Sequence, residues 1–310
     1  MSKKEHDYKI SISRNRQDNY DKSWFLSTKK ALGKYNLTGL KCLDLCSGNC
    51  EFSQILRDKY KMNVICADYS PVHLQKAKEL GFETLEINFD DDTDKILQQA
   101  NEYRNSFDIV VSLATVEHIF DIHNFFIFIY QILKGNGLLL INTPNMSYWV
   151  YRLYSCYFGN RPIGEGHHVR FFDYKYLRTI MELEGFDNIV DNRSKNGEER
   201  YALYRCFNNR VLLKLLFFLS SRKWEFKKIS RLRGLFTNEL TLIGEKSNCP
   251  PLGILHSQLD ETLKYLKEKK MNQYNLAVER LKILKNQDLF RGFPGLNDLA
   301  SIHTIKHKKE

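Results

Sequence analysis

From Lys41 onward the chain alternates short apolar runs of β-forming residues with longer helical patterns, and few architectures accommodate that order. A strand, a crossover helix and a second strand in repetition build a parallel sheet covered by helices on its faces. Strands are expected at Lys41–Leu45, Asn63–Asp68, Glu83–Asn88, Phe107–Leu113 and Gly137–Thr143, with helices at Gln54–Tyr60, Val72–Leu80, Thr93–Tyr103 and Asn124–Leu133 between them. Lys134-Gly135-Asn136-Gly137 supplies turn chemistry before the fifth strand, and Pro144, which cannot donate to a ladder, ends it. After an aromatic-rich stretch at Met146–Phe158, a helix is read at Tyr174–Glu184, capped by Gly185. Phe186–Arg193 and Leu235–Gly244 follow as the sixth and seventh strands. The expected fold class is therefore α/β: a doubly wound, seven-stranded, mostly parallel, Rossmann-like sheet.

The pattern also divides the chain. Residues 1–34 read as an N-terminal arm, polar over about the first 20, 35–246 as the α/β domain with an apolar and basic insertion at 203–233, and 247–310 as a small C-terminal helical extension. In that extension Leu255, Leu259, Leu263 and Leu266 share one helical face, so its helices are expected to pack on each other or to mediate self-association into a homo-oligomer. With 43% hydrophobic residues among 310, the chain can bury a full core. A net charge of +10 admits an acidic partner, although Lys, Asn, Ile and Tyr enrichment throughout the chain explains it more simply. Seven cysteines without a CxxC pair, several in apolar strands, suit reduced thiols in a cytoplasmic protein. No signal peptide is read at the N-terminus, and no apolar run approaches the roughly 20 residues that span a bilayer. Val211–Leu219, followed by Arg222, Lys223, Lys227, Lys228, Arg231 and Arg233, has two readings. One is a helix packed on the sheet beside a solvated basic run; the other is peripheral attachment of 211–233 to an anionic membrane surface.

Ligands of doubly wound sheets sit at the carboxyl ends of the strands, so the first strand–loop–helix is the place to look for chemistry. Its sequence is Leu43-Asp44-Leu45-Cys46-Ser47-Gly48-Asn49-Cys50. Small residues at 46 to 48 permit a tight turn and close backbone approach. Asp44 offers a carboxylate to a cationic amine. About 20 residues after this loop the second strand ends in Asp68-Tyr69-Ser70, where an acid can accept from a ribose diol. A pyrophosphate would want GxGxxG and no acid at the loop entrance. An adenosyl ligand with an amino-acid tail therefore fits better than a dinucleotide.

This set of features resembles the class I S-adenosylmethionine-dependent methyltransferases, in particular the methyltransferase 11/23-like group, over about residues 38–246. The usual first motif is Leu-Asp-Leu-Gly-Cys-Gly-x-Gly; here Cys46 and Cys50 stand where glycine is usual. Phe107-Asp108-Ile109-Val110-Val111, Val116-Glu117-His118, the passage Leu133–Asn145 and Gly166-His167-His168-Val169-Arg170-Phe171-Phe172 follow in the family's order. The resemblance implies S-adenosyl-L-methionine as cofactor, lined by Asp44, Cys46, Gly48, Asp68 and Tyr69. It places Asn88 and Phe89 near the adenine and Leu113 and Ala114 near the methionine portion.

The acceptor side is less constrained. Glu117, His118, His167 and His168 are the candidate catalytic residues, a histidine being able to take the proton of an acceptor hydroxyl. Arg170 is read either as a contact to an acidic acceptor group or as the partner of a neighbouring carboxylate. The expected activity is methylation, on a hydroxyl oxygen, of a sugar, glycolipid or other small or lipid-linked acceptor. Two alternatives stand beside it. One is RNA 2′-O-methylation of the Glu-His/His metal type; the other is a non-catalytic scaffold whose cofactor loop is degenerate at Cys46 and Cys50. The metal type carries a further glutamate where this chain has Ala114, so no metal is expected here, and nucleic acid is not expected as a partner without a recognisable RNA-binding module.

Overall fold

The computed structural model describes residues 23–159, 168–191, 238–248 and 250–251. Within them β1 (Lys41–Leu45), β2 (Asn63–Asp68), β3 (Glu83–Glu86), β4 (Phe107–Leu113), β5 (Leu133–Pro144), β6 (Phe186–Asp191) and β7 (Glu239–Lys246) form one sheet in the order β3-β2-β1-β4-β5-β7-β6. The first five strands run parallel, and β7 is antiparallel to both β5 and β6. The expected seven-stranded, mostly parallel sheet is therefore present. Strand order reverses between β1 and β4, so the loops leaving those two strands diverge and open a crevice between them.

Strand residues feed two cores by simple alternation. Leu43, Leu45, Ile65, Ala67, Leu139 and Ile141 face one layer. Helices α4 (Thr93–Glu102), α5 (Ile122–Ile132) and α7 (Tyr174–Leu183) cover it. Cys42, Val64, Cys66, Ile109 and Val111 face the other, beneath α1 (Ser23–Leu32), α2 (Glu51–Asp58) and α3 (Pro71–Glu79). Because both faces are covered, the central strands read as continuous apolar runs rather than as alternating ones. α5 is the most deeply set helix: Phe125, Phe126 and Phe128 are fully buried, each worth about 2–3 kcal/mol of transfer free energy. Helix starts follow capping chemistry. Ser70 accepts from His73 N–H with Pro71 behind it, Asp121 accepts from the amides of His123 and Asn124, and Asp173 accepts from Tyr176 N–H. Gly185, at φ +88°, ends the α7 segment as expected. Gly244 in β7 has a packing reason: a Cβ there would lie 2.9 Å from Met181 Cε and 3.1 Å from Phe186 Cβ.

Differences from the sequence reading have local causes. Ser23–Leu32, within the N-terminal arm, is a helix docked on the domain, with Ser27 Oγ accepting from Asn142 Nδ2 at 3.3 Å and from Thr241 Oγ1 at 2.9 Å. Lys134-Gly135-Asn136-Gly137 is a bulged entry into β5 rather than a turn before it, with Asn136 at φ +61° and a register shift opposite Phe107 and Ile109. The aromatic stretch contains α6 (Trp149–Phe158), followed by Gly159 in the left-handed region. No described helix is long and apolar enough to cross a membrane. The basic insertion 203–233, including the apolar run at 211–219, and the helices read beyond residue 251 lie outside the described residues.

Candidate active site

The crevice begins at the end of β1. Cys46 and Cys50 adopt φ of +58° and +59°, and Gly48 between them lies at +53°. The backbone thus keeps the glycine-type conformation at both positions where cysteine stands, against the roughly 1–2 kcal/mol that an L-residue loses there. Tertiary bonds hold the loop in this shape. Ser47 N–H donates to the Ala67 carbonyl at 3.0 Å, Gly48 N–H to Asp68 Oδ2 at 3.0 Å, and Cys50 N–H to the Ser47 carbonyl at 2.9 Å. Burial, followed by the charge of Asp68, pushes the Cys46 thiol well above its ordinary range, so it stays neutral.

Two carboxylates flank this loop, each 3% exposed. Asp44 Oδ2 accepts from the Ser53 hydroxyl of α2 at 2.5 Å. Its carboxyl is pushed up to about 7, chiefly by burial and further by the charge of Asp68, with the Ser53 bond acting the other way. Asp68 accepts from Gly48 N–H and from Ser70 N–H, both at 3.0 Å, and lies 3.2 Å from His73 Nδ1. The cleft beside them encloses about 610 Å³, including its open mouth. Asp44, Cys46, Gly48, Leu113 and Ala114 line it, together with Phe25 of α1, whose ring lies 5.0 Å from that of Phe52.

The opposite rim is built from the turn after β4. Ala114 is held at φ +51° with its N–H on the Asn142 carbonyl at 2.8 Å, and a single 3₁₀ turn follows at Val116–His118. Glu117 is 2% exposed; its Oε2 accepts from the Thr143 hydroxyl at 2.8 Å, and burial raises its carboxyl to about 7. The amides of Val169 and Arg170 donate to the Glu117 carbonyl at 2.9 and 3.1 Å, which docks the 168–170 segment on this turn. His118 and His168 consequently meet edge to face, ring centroids 4.6 Å apart. Arg170 uses its guanidinium on the carbonyls of Ile119 and Phe120, at 3.2 and 2.7 Å, and so staples the loop.

Sequence-expected residues thus fall into three groups. Asp44, Cys46, Gly48, Leu113 and Ala114 converge on one cleft, with Asp68 bonded to its loop. Glu117, His118 and His168 converge on its neighbouring rim, whereas His167 lies outside the described residues. Tyr69 is half exposed, and Asn88 is exposed and engaged with Asp90 N–H and Asp91. The Phe89 ring, by contrast, is 3% exposed and packs edge-on against Phe125 and Phe128, so its side chain belongs to the core. Phe25 and Phe52 were not anticipated. Their approach depends on where α1 docks, for which the N-terminal sequence offers only the short apolar run Trp24-Phe25-Leu26.

A family model described as a methyltransferase domain matches residues 15–190, more than half of the chain. The chain belongs to this methyltransferase domain family; it is a methyltransferase, and its methyl donor is S-adenosylmethionine. The residues present suit that cofactor: the buried Asp44 carboxyl and Glu51 line the cleft, Asp68 is bonded to its loop at Gly48, and no lysine or arginine is among the described lining residues. Among solved structures, a SAM-dependent methyltransferase from Archaeoglobus fulgidus is 18% identical, over 71% of this chain and 92% of that one, with a TM-score of 0.49. A methyltransferase in complex with the Trm112 activator from Haloferax volcanii is also 18% identical, over 76% and 96%, with a TM-score of 0.49. Phosphoethanolamine N-methyltransferase 2 of Haemonchus contortus is 19% identical over 72% of this chain and 52% of that one, with a TM-score of 0.46. At such identities the likeness is one of fold. No curated protein matches the chain.

Proposed function

We propose that the chain methylates a hydroxyl of a sugar, glycolipid or similar small acceptor. One observation carries the reading: Glu117, His118 and His168 gather on the turn that follows Ala114, which itself lines the cleft. S-adenosylmethionine supplies an activated methyl group on sulfur, so the protein's own task is alignment and exclusion of water. In this reading Asp44 holds the amine of the methionine portion, and Asp68 accepts from the ribose while fixing Gly48. Leu113, Ala114 and Phe25 supply the apolar wall that excludes water. A histidine of the pair His118 and His168 takes the acceptor proton, and buried Glu117 keeps the turn that presents His118 in place.

The test is transfer of an isotope-labelled methyl group to a panel of glycans, glycolipids, small alcohols and amines, with the product position read by NMR. Oxygen-linked methyl on a hydroxylated acceptor is expected. Methyl found only on nitrogen, with hydroxyl acceptors inert, would reject the oxygen reading.

A further inference from the structure

We infer that Glu117, His118 and His168 form a site for one divalent transition-metal ion. The site itself stands on geometry; its use in catalysis rests on the hydroxyl-acceptor reading above. A carboxylate oxygen and two imidazole nitrogens, drawn from two segments some 50 residues apart in sequence, lie within 4.8 Å of one another. An ion with bonds of about 2.1 Å keeps tetrahedral ligands about 3.4 Å apart. The remaining closure of roughly an ångström is within reach of two ring rotations.

An independent observation concerns the same carboxylate. Glu117 is 2% exposed, yet its Oε1 has no hydrogen-bond partner, while Oε2 takes the Thr143 hydroxyl. A buried carboxylate oxygen left without a donor is unfavourable by about 1–3 kcal/mol or more, and such atoms occur where an ion or water belongs. The surroundings are built to hold the donors. Thr143 orients the carboxylate as an outer-shell partner does, the Val169 and Arg170 amides anchor the segment carrying His168, and Arg170 ties that segment to the carbonyls beyond His118.

The donor set indicates which ion. Two imidazoles and one carboxylate suit Zn²⁺, Co²⁺, Fe²⁺ or Mn²⁺, whereas Ca²⁺ and Mg²⁺ take oxygen ligands. Three protein ligands also leave a coordination position open, the arrangement of catalytic rather than structural sites. Sequence reasoning discounted a metal because position 114 carries alanine rather than a fourth ligand. Ala114 itself lines the cleft beside this turn, so an acceptor hydroxyl there would complete the coordination and release its proton to solvent water, the two imidazoles then serving as ligands in place of the base role given above.

The experiment uses the full chain stripped with chelator and titrated with Co²⁺, followed by visible absorption and by metal analysis after dialysis against Zn²⁺. One equivalent is expected, with ligand-field bands and no thiolate charge-transfer band, which distinguishes this site from the seven cysteines. His168→Ala and His118→Ala should each weaken Co²⁺ by at least tenfold, and Thr143→Ala by roughly tenfold through the outer shell. Circular dichroism confirms which variants fold, and S-adenosylmethionine binding to the metal-free protein is measured in parallel. Retained cofactor binding with no saturable Co²⁺ site, or identical Co²⁺ affinity in both folded histidine variants, overturns the inference. A single Co²⁺ site lost in these variants upholds it, even if no hydroxyl acceptor is methylated.

Discussion

Asp44 gives the sharpest handle on how the cleft works. Its carboxyl is 3% exposed and pushed from an ordinary 3.8 up to about 7 in the cofactor-free protein. The displacement corresponds to about 4 kcal/mol disfavouring the ionised form. Because the folded value lies above the unfolded one, the proton is favoured in the folded state between these limits, and the protein loses stability as pH rises from about 4 to 7. A bound cation removes most of that penalty and lets the carboxyl ionise. Binding of S-adenosylmethionine should therefore release about 0.9 proton at pH 6 and about 0.1 at pH 8, with Kd about tenfold weaker at the lower pH. Asp44→Asn should separate the two effects. It weakens binding by about 3 kcal/mol, raising Kd more than a hundredfold, by removing one partner of a buried charge pair. The same substitution stabilises the cofactor-free protein at pH 8 while leaving it little changed at pH 4, because it removes a buried charge that is unfavourable only when ionised. Isothermal titration calorimetry in buffers of different ionisation enthalpy, with chemical denaturation across the same pH range, measures both. Heats independent of buffer at pH 6, together with variant affinity within threefold of the native chain, would refute the reasoning.

Other positions yield simpler expectations. Phe89→Ala should destabilise the fold by about 3–5 kcal/mol, as for a buried aromatic, while the folded fraction binds S-adenosylmethionine within about threefold of the native chain; a large Kd change at full folding would return its ring to the adenine site. Cys46→Gly should leave cofactor binding intact and leave stability level or raised by up to about 1 kcal/mol, because glycine adopts φ near +58° without strain; loss of binding would show that the thiol, not the backbone, matters. Gly244→Ala should lower stability by about 1–3 kcal/mol in urea denaturation, since its Cβ meets Met181 and Phe186. His123 sits 2.6 Å from buried Glu184, whose hydrogen bond raises its pKa above the ordinary 6.5. The stability this pair contributes is present in full below about 6.5 and is lost as pH rises through the raised value, so His123→Gln should flatten that part of the pH profile.

Much of the architecture was written in local pattern. β1, β2 and β4 have the ends read from sequence, because a strand buried on both faces is a continuous apolar run with abrupt polar limits. Asp44, Gly48 and Asp68 were legible as a set, since a crevice at the first loop of a doubly wound sheet is a consequence of topology. What one strand or one helix cannot encode was decided by packing. Cys46 and Cys50 take glycine's conformation only because bonds from β2 and within the loop hold it there. Phe89 enters the core rather than the cleft because α5 presents Phe125 and Phe128 beneath it. Phe25 reaches the cleft only once α1 is docked through Ser27 on β5 and β7. His168 meets Glu117 and His118 because two backbone amides fasten a distant segment to one carbonyl. Sequence by itself determined the sheet and the methyltransferase class, which follow from short-range periodicity and from several motifs in the family's order. Only the tertiary structure decided that Glu117, His118 and His168 share one rim, because that convergence is made by contacts between segments far apart in the chain.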